Sequence, residues 1–380
     1  MKRRNLVVAI ALGIMGAHVP SYGAEPEVVK IGFAAPLTGP VARVGKDLQY
    51  GAQLALDEEN AKNPTVDGKP VKFVLDVQDD QADPRFAIQA AQKLVDDGVA
   101  GVIGHYNSGC SIPASAVYHQ ADVAMITPGS TNPQLTKQGF KNVFRTMGHD
   151  GIGGVVAGHF VVEQIKAKRI GIIDDRTGFG QGLADAFEKG VKEANGNIVD
   201  REFTNDKAVD FRAVLTTLKS KNVDVIFFGG LDRQAAAVAK RMKQLGITAQ
   251  FVGGGGVMDT DFLKLAGDAA DGAMAWEYGS PLEKLPQGKA FAEKFQKHFG
   301  VAILSYAPFG YDAAWAAINA MQKGNSIDPK VYRPVLKAIS FPGITGTIAF
   351  DNNGALKNAS STMYQVKGGA WVPIVTKSGT

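Results

Sequence analysis

Two short polar stretches, Asn107-Ser108-Gly109-Cys110-Ser111 and Gly129-Ser130-Thr131, each follow an apolar, β-rich run, Val99–Ile103 and Val123–Ile126. In an open parallel sheet, ligands sit beyond the carboxyl ends of the strands. Loops there that carry hydroxyls, glycines and backbone N–H groups suit a small anion such as a carboxylate. The same serines and threonines also serve as helix caps, with Ser111 ahead of Pro113 and Ser130 or Thr131 ahead of Pro133. Binding differs from capping in one respect. It needs both loops to leave neighbouring strands on one edge, so that Ser108 and Thr131 reach a single oxyanion.

Other chemistry finds less support. The turn Gly178-Phe-Gly180-Gln-Gly182 places Leu183 where a dinucleotide fingerprint needs its third glycine, so no bound nucleotide is expected. That turn is either a plain strand-to-helix connection or a device presenting Phe179 to a cleft. The histidines are scattered, and no CxxC or GxSxG motif occurs. Asp79-Asp80 and Asp174-Asp175 read as strand-end pairs that cap helices. Cys110 reads as a small buried residue and His105 as a structural histidine. With no nucleophile–base pair and no metal cluster, the expectation is a protein that is not an enzyme, with no cofactor and no metal.

The elements that must position these loops follow from periodicity. Glu27–Ala35, Pro70–Gln78 and Val99–Ile103 read as strands, with helices at Leu48–Asn60 and Arg85–Asp97 between them and PLTGPVARVG as a loop. The order β-α-β-α-β predicts a parallel, right-handed doubly wound sheet. A second series starts after Thr146. Its strands are Arg169–Asp174, Ile198–Phe203, Val223–Phe228 and Ala249–Val252, and its helices include Gly154–Ile165, Gly180–Asn195, Phe211–Ser220 and Arg233–Leu245. Helices at Gly288–Phe299, Ala307–Met321 and Lys330–Ala338 precede two hairpin-like strands. Two α/β lobes are predicted, and no linker separates them. A chain that crosses between lobes several times builds a hinge and a closing cleft.

The 380 residues exceed one usual core, in keeping with two lobes. Residues 1–24 read as a secretory signal peptide: Lys2-Arg3-Arg4, the apolar run Leu6–Met15, and a small-residue exit at Ser21–Ala24. The remaining chain carries 38 of the 41 basic residues against 37 acids, a net charge of +1, which implies no nucleic-acid partner. One cysteine excludes an intramolecular disulfide.

The motifs VKIGFAAPLTGPVARVG, DDQADP, VIGHYNSGCSIPAS, MITPGSTNP, FRTMGHD, DDRTGFGQGLA, IFFGG and GTIAFDNNG span nearly the whole chain beyond the leader. In these the sequence resembles the periplasmic leucine/isoleucine/valine-binding protein family, the substrate-binding components of ABC importers. The resemblance implies a type I Venus-flytrap fold, two doubly wound lobes joined by a three-strand hinge. It places the amino-terminal lobe at 25–147 with 279–345 and the other at 148–278 with 346–380. It implies a periplasmic protein, by default a monomer, that captures an amino acid or related small carboxylate and delivers it to a membrane permease. A sensory module serving a receptor, or a binder of aromatic or aliphatic carboxylates, would share the fold.

By the same resemblance Ser108 and Thr131 hold the ligand carboxylate, with backbone contacts at Gly129 and Ser130. Tyr106, beside Asn107, lines the side-chain pocket, with Phe179 and Tyr306 as further aromatic walls. Leu231 stands where the family has a tyrosine, Val44 where it has another aromatic, and Ala82 and Asn107 where it has a disulfide. Gly255, in the run Gly253–Gly256, stands where the family's acid pairs with the ligand α-ammonium. Either another acid replaces it (Asp150, Asp232, Asp259 and Glu277 are candidates) or the ligand lacks an ammonium.

Overall fold

The computed structural model describes residues 25–378, so residues 1–24, expected to be a signal peptide, lie outside the described residues. The first series runs β1 (Glu27–Ala35), α1 (Ala42–Asn60), β2 (Thr65–Val66), β3 (Lys69–Asp79) and α2 (Pro84–Asp96). It continues with β4 (Gly101–Gly104), α3 (Ser108–Gln120), β5 (Met125–Thr127), α4 (Gln134–Lys137) and β6 (Val143–Arg145). The second runs α5 (Asp150–Glu163), β7 (Ile170–Asp174), α6 (Gly178–Glu193), β8 (Ile198–Phe203), α7 (Arg212–Ser220) and β9 (Val225–Gly229). After these come α8 (Asp232–Gln244), β10 (Gln250–Gly253), α9 (Thr260–Ala266) and β11 (Met274–Tyr278). The carboxyl-terminal part holds α10 (Gly288–Phe299), α11 (Ala307–Gly324) and α12 (Pro329–Ala338), then β12 (Ser340–Pro342), β13 (Thr347–Ala349), β14 (Ser360–Lys367) and β15 (Ala370–Ser378).

Two sheets result. One has the order β2-β3-β1-β4-β5-β6, the other β15-β14-β11-β10-β9-β7-β8. Pairing is parallel along β3-β1-β4-β5-β6 and along β11-β10-β9-β7-β8, as the alternation of strands and helices requires. The β14–β15 hairpin adds antiparallel strands to β11 at the edge of the second sheet. β1 lies inside its sheet, and Val29, Ile31, Phe33, Ala34 and Ala35 are all buried there, the near-continuous apolar run of a strand covered on both faces.

The carboxyl-terminal helices return to the first lobe. α11 packs along α1 so closely that a Cβ on Gly51 would sit 2.0 Å from the Ala307 carbonyl oxygen. One on Gly310 would sit 2.3 Å from that of Leu48. Glycine is needed at both positions because backbone meets backbone. The chain therefore crosses between sheets three times, at residues 146–149, 279–281 and 350–359. The crossings lie side by side: the Arg145 N–H donates to the Gly354 carbonyl (2.9 Å) and the Gly279 N–H to that of Ser360 (2.8 Å).

Several sequence expectations need correction. The first helix begins at Ala42, not Leu48, because Val44 and Leu48 continue one buried stripe into the stretch read as a Pro/Gly loop. β6 and β11 were not anticipated: the first is only three residues long, and the second follows a glycine-rich stretch without clear alternation. The paired aspartates do not cap helices. Asp79 accepts from the Leu37 N–H and the Thr38 hydroxyl, Asp80 pairs with His105, and Asp174 with Arg201. Asp83 and Thr177 cap α2 and α6 instead.

The lobes touch in a closed arrangement. Arg43, at the start of α1, reaches three carboxylates of the other lobe. It bonds Asp232 at 2.7 Å and Asp259 through its other terminal nitrogen, and its Nε lies 3.3 Å from Asp261. Without Arg43 those acids repel one another. Replacing Arg43 by alanine should shift the balance toward open lobes by about 1 kcal/mol, the scale of a partly exposed ion-pair network. Small-angle scattering would register this as a larger radius of gyration, and an unchanged profile would show that the bridges hold nothing.

Candidate functional site

β4 and β5 are adjacent and parallel, with Val102 opposite Met125 and Ile103 opposite Ile126. Their following loops are therefore neighbours on one edge, the arrangement that distinguishes binding from capping. Thr127 builds the second loop. Its Oγ donates to the His105 carbonyl (2.8 Å) and accepts from the N–H groups of Gly129 and Ser130. A Cβ on Gly129 would lie 2.5 Å from the Tyr106 ring, so only glycine lets the loops close on each other. Beneath them the buried Arg145 guanidinium donates to the carbonyls of Ser130 and Asn132, each at 3.0 Å.

Ser108 joins the loops directly. Its Oγ accepts from the N–H groups of both Thr131 and Asn132, each at 3.2 Å. The N–H groups of the Gly129–Asn132 turn are thus already engaged, contrary to the expectation that they stand free. What remains is the Ser108 hydroxyl proton and the amino-terminal end of α3, which begins at Ser108 itself. Capping does not explain these residues: Ser111 lies inside α3, and α4 has no side-chain cap. His105 and Cys110 are buried structural residues, the imidazole held between Asp80 (2.7 Å) and Tyr118 (3.1 Å).

The gap between the lobes is lined by Tyr106, Asn107, Ser108, Gly129, Thr131, Phe179, Leu231, Gly256, Tyr278 and Tyr306. Eight of the ten residues singled out from the sequence stand on this wall. Ser130 does not: it is fully buried behind the wall, its hydroxyl on the Tyr106 carbonyl (3.0 Å) and on Ser111. Gly255 lines an adjoining recess with Val44, Arg43, Tyr106, Gly256 and Tyr306. Sequence reading missed Gly256 and Tyr278. The unrecognised strand β11 hid Tyr278, since its end was never counted among the strand ends that face the gap.

Each wall is fixed by its element. Phe179 stands in the first turn of α6, capped by the Thr177 hydroxyl on the Gly180 N–H (2.9 Å). Leu231 is the residue before α8. Tyr306 is held because the Asp47 carboxylate accepts the N–H groups of residues 304–307, and its ring meets Tyr106 edge-on at 5.2 Å. At the joint the Asn132 side chain donates to the Gly178 carbonyl across the lobes (2.5 Å). Three helix starts, those of α3, α6 and α8, therefore face one gap, which favours an anionic group there.

The chain matches the model of the family described as periplasmic binding protein over residues 28–370. It belongs to that family. It is 34% identical to the leucine-, isoleucine-, valine-, threonine- and alanine-binding protein of Pseudomonas aeruginosa, covering 92% of each chain. The crystal structure of a leucine-binding protein from Thermotoga maritima superposes with a TM-score of 0.84 at 27% identity, covering 92% of this chain and 98% of that one. The branched-chain amino acid transporter substrate-binding protein of Streptococcus pneumoniae, solved with isoleucine, gives 0.81 at 26%, covering 93% and 99%. In this periplasmic binding protein no helix among the described residues is long and apolar enough to cross a membrane, and no metal-binding cluster occurs among them.

Two carboxyl groups beside the gap are strongly perturbed. Asp150, fully buried at the start of α5, accepts the Thr131 hydroxyl (3.0 Å) on one oxygen and the Tyr278 hydroxyl on the other. Burial pushes its carboxyl up to about 6, against the lowering effect of those bonds and of Arg145. Glu277 follows Trp276 on β11. One oxygen accepts the Tyr278 N–H (2.8 Å) and the other is buried without a partner. Burial, reinforced by the charges of Asp259 and Asp150, pushes it up to about 8, although the Tyr278 N–H opposes the rise.

A carboxyl group whose folded pKa lies above its unfolded value stabilises the protein at low pH and loses that contribution as pH rises through the folded value. His149 works in the opposite sense, because burial lowers it to about 4, but its window lies below its ordinary 6.5. From about pH 8.5 down to about pH 6.5 the unliganded protein should gain stability, its melting temperature rising by about 2 °C or more. Glu277→Gln should flatten that rise, and a melting temperature that falls over the same interval would contradict the assignment.

Proposed function

We propose that this chain is a periplasmic solute-binding protein of an ABC importer, a monomer that captures an amino acid or related small carboxylate between its lobes and delivers it to a membrane permease. The observation that supports this most directly is the convergence of the Ser108 hydroxyl and the α3 start with Thr131 on one gap walled by Tyr106, Phe179 and Tyr306. In this reading the lobes comprise 25–147 with 279–345 and 148–278 with 346–380. Residues 1–24 direct export. The relatives named for leucine, isoleucine and valine favour a ligand of amino-acid size.

Closure couples binding to delivery. A ligand that bridges the two lobes binds the closed arrangement better and shifts the population toward it. The permease then meets a surface that exists only when both halves are together. No bond is made or broken in this cycle, and the relatives are binding proteins.

The test is a thermal-shift panel of the standard L-amino acids together with benzoate, 3-phenylpropanoate and 4-methylpentanoate, since a ligand of the folded state raises the melting temperature. Ser108→Ala should weaken the best ligand by roughly 10- to 100-fold, the worth of a hydrogen bond to a charged group, and Thr131→Ala by less, because the Thr131 hydroxyl proton is already given to Asp150. Both should also lower the unliganded melting temperature by a few degrees. Ser108→Ala takes the acceptor from the Thr131 and Asn132 N–H groups and Thr131→Ala takes a donor from buried Asp150, so affinity is read well below either transition. Full affinity in both variants would refute the pocket.

A further inference from the structure

Resting on that reading, the four acids near the gap can be ranked by what already occupies them. Asp232 and Asp259 take the Arg43 guanidinium. Asp150 accepts a hydroxyl on each of its two oxygens. Glu277 differs: among the described residues its Oε2 is the carboxylate oxygen that is buried with no hydrogen-bond partner. A buried acceptor without a partner is costly, and a carboxylate more so.

Its position is equally specific. A Cβ built on Gly255 would fall 2.7 Å from Glu277 Oε1 and 3.3 Å from Oε2. The missing side chain at 255 is therefore the space that the Glu277 carboxylate fills, reached from the neighbouring strand. When ionised it adds to the burial that already raises the phenols of Tyr106 and Tyr306, both on the wall of the gap. Gly255 itself lines the recess shared with those two rings.

The gap is thus electrically divided. The α3 start and the Ser108 hydroxyl favour an anion on one side, and on the other the Glu277 carboxyl group, itself on the lining of a neighbouring cleft, stands directly behind Gly255 of the adjoining recess. We propose that Glu277 is the counter-charge for a ligand ammonium group, so that the ligand is a zwitterionic amino acid and not a plain carboxylic acid. Gly255 is then a specificity position, small because the acid arrives from β11. The elevated proton affinity of Glu277 fits this assignment, since an ammonium beside it restores the charged form.

Calorimetric titration of the wild-type protein with the amino acid that stabilises it most, and with the same acid lacking its amino group (4-methylpentanoate for leucine, 3-methylbutanoate for valine, 3-phenylpropanoate for phenylalanine), tests this. The amino acid should bind on the order of 100-fold more tightly than its des-amino partner. Glu277→Gln should lose on the order of 100-fold for the amino acid and nothing for the des-amino acid. Equal affinity for the pair, or wild-type affinity in Glu277→Gln, overturns the inference while leaving a carboxylate-binding protein in place. Binding that survives Ser108→Ala but not Glu277→Gln supports Glu277 and refutes the two-loop pocket. If no acid binds, with or without an amino group, both fall. Should Glu277→Gln fold poorly, the wild-type comparison decides alone.

Discussion

The buried Asp150 carboxyl is the tie on which the rest of the arrangement depends. It sits where the chain first passes from one lobe to the other, and it accepts a hydroxyl from each side: Thr131 of the gap wall and Tyr278 at the second crossing. Its own N–H donates back to the Thr131 carbonyl (2.9 Å). One side chain thereby fixes a wall residue, the start of α5 and the end of β11 relative to each other. A polar group taken out of water must be satisfied, and here its satisfaction couples loop, helix and hinge.

Around that tie the charges are distributed by function. Cationic Arg145 supports the back of the loops, while Arg43 works outside the gap, where it joins the lobes through three carboxylates. Neither is on the wall of the gap itself. The wall is aromatic and small-residue surface with a few hydroxyls, the composition of a site that excludes water while orienting a small polar molecule. Closure brings backbone within reach of backbone: a Cβ on Gly178 would lie 3.1 Å from the Gly109 Cα.

Much of this was legible in the sequence. Strands with a buried apolar run and helices of regular period carry their own signal, so β1, β7 and α10 fall within a residue of where the sequence places them. The two hydroxyl-bearing loops were legible because both follow such strands. What escaped depended on distant partners. Asp80 looks like any strand-end acid until His105 is beside it, and the N–H groups of the second loop look free until Ser108, more than twenty residues earlier, accepts them. Glu277 was one acid among four. Its unpartnered oxygen and its place on β11 behind the bare Gly255 separate it from the others.

The three crossings have a consequence for how the molecule is made. α1 is covered by α11, which is synthesised some two hundred and fifty residues later, so the first lobe cannot complete its core until most of the chain exists. Contacts between segments so remote along the chain form slowly, because a long loop must be closed before they are rewarded. The core of the first lobe is therefore completed later than it would be in two independent lobes. A protein that has to thread through a translocation channel before it compacts would gain that interval from its topology alone.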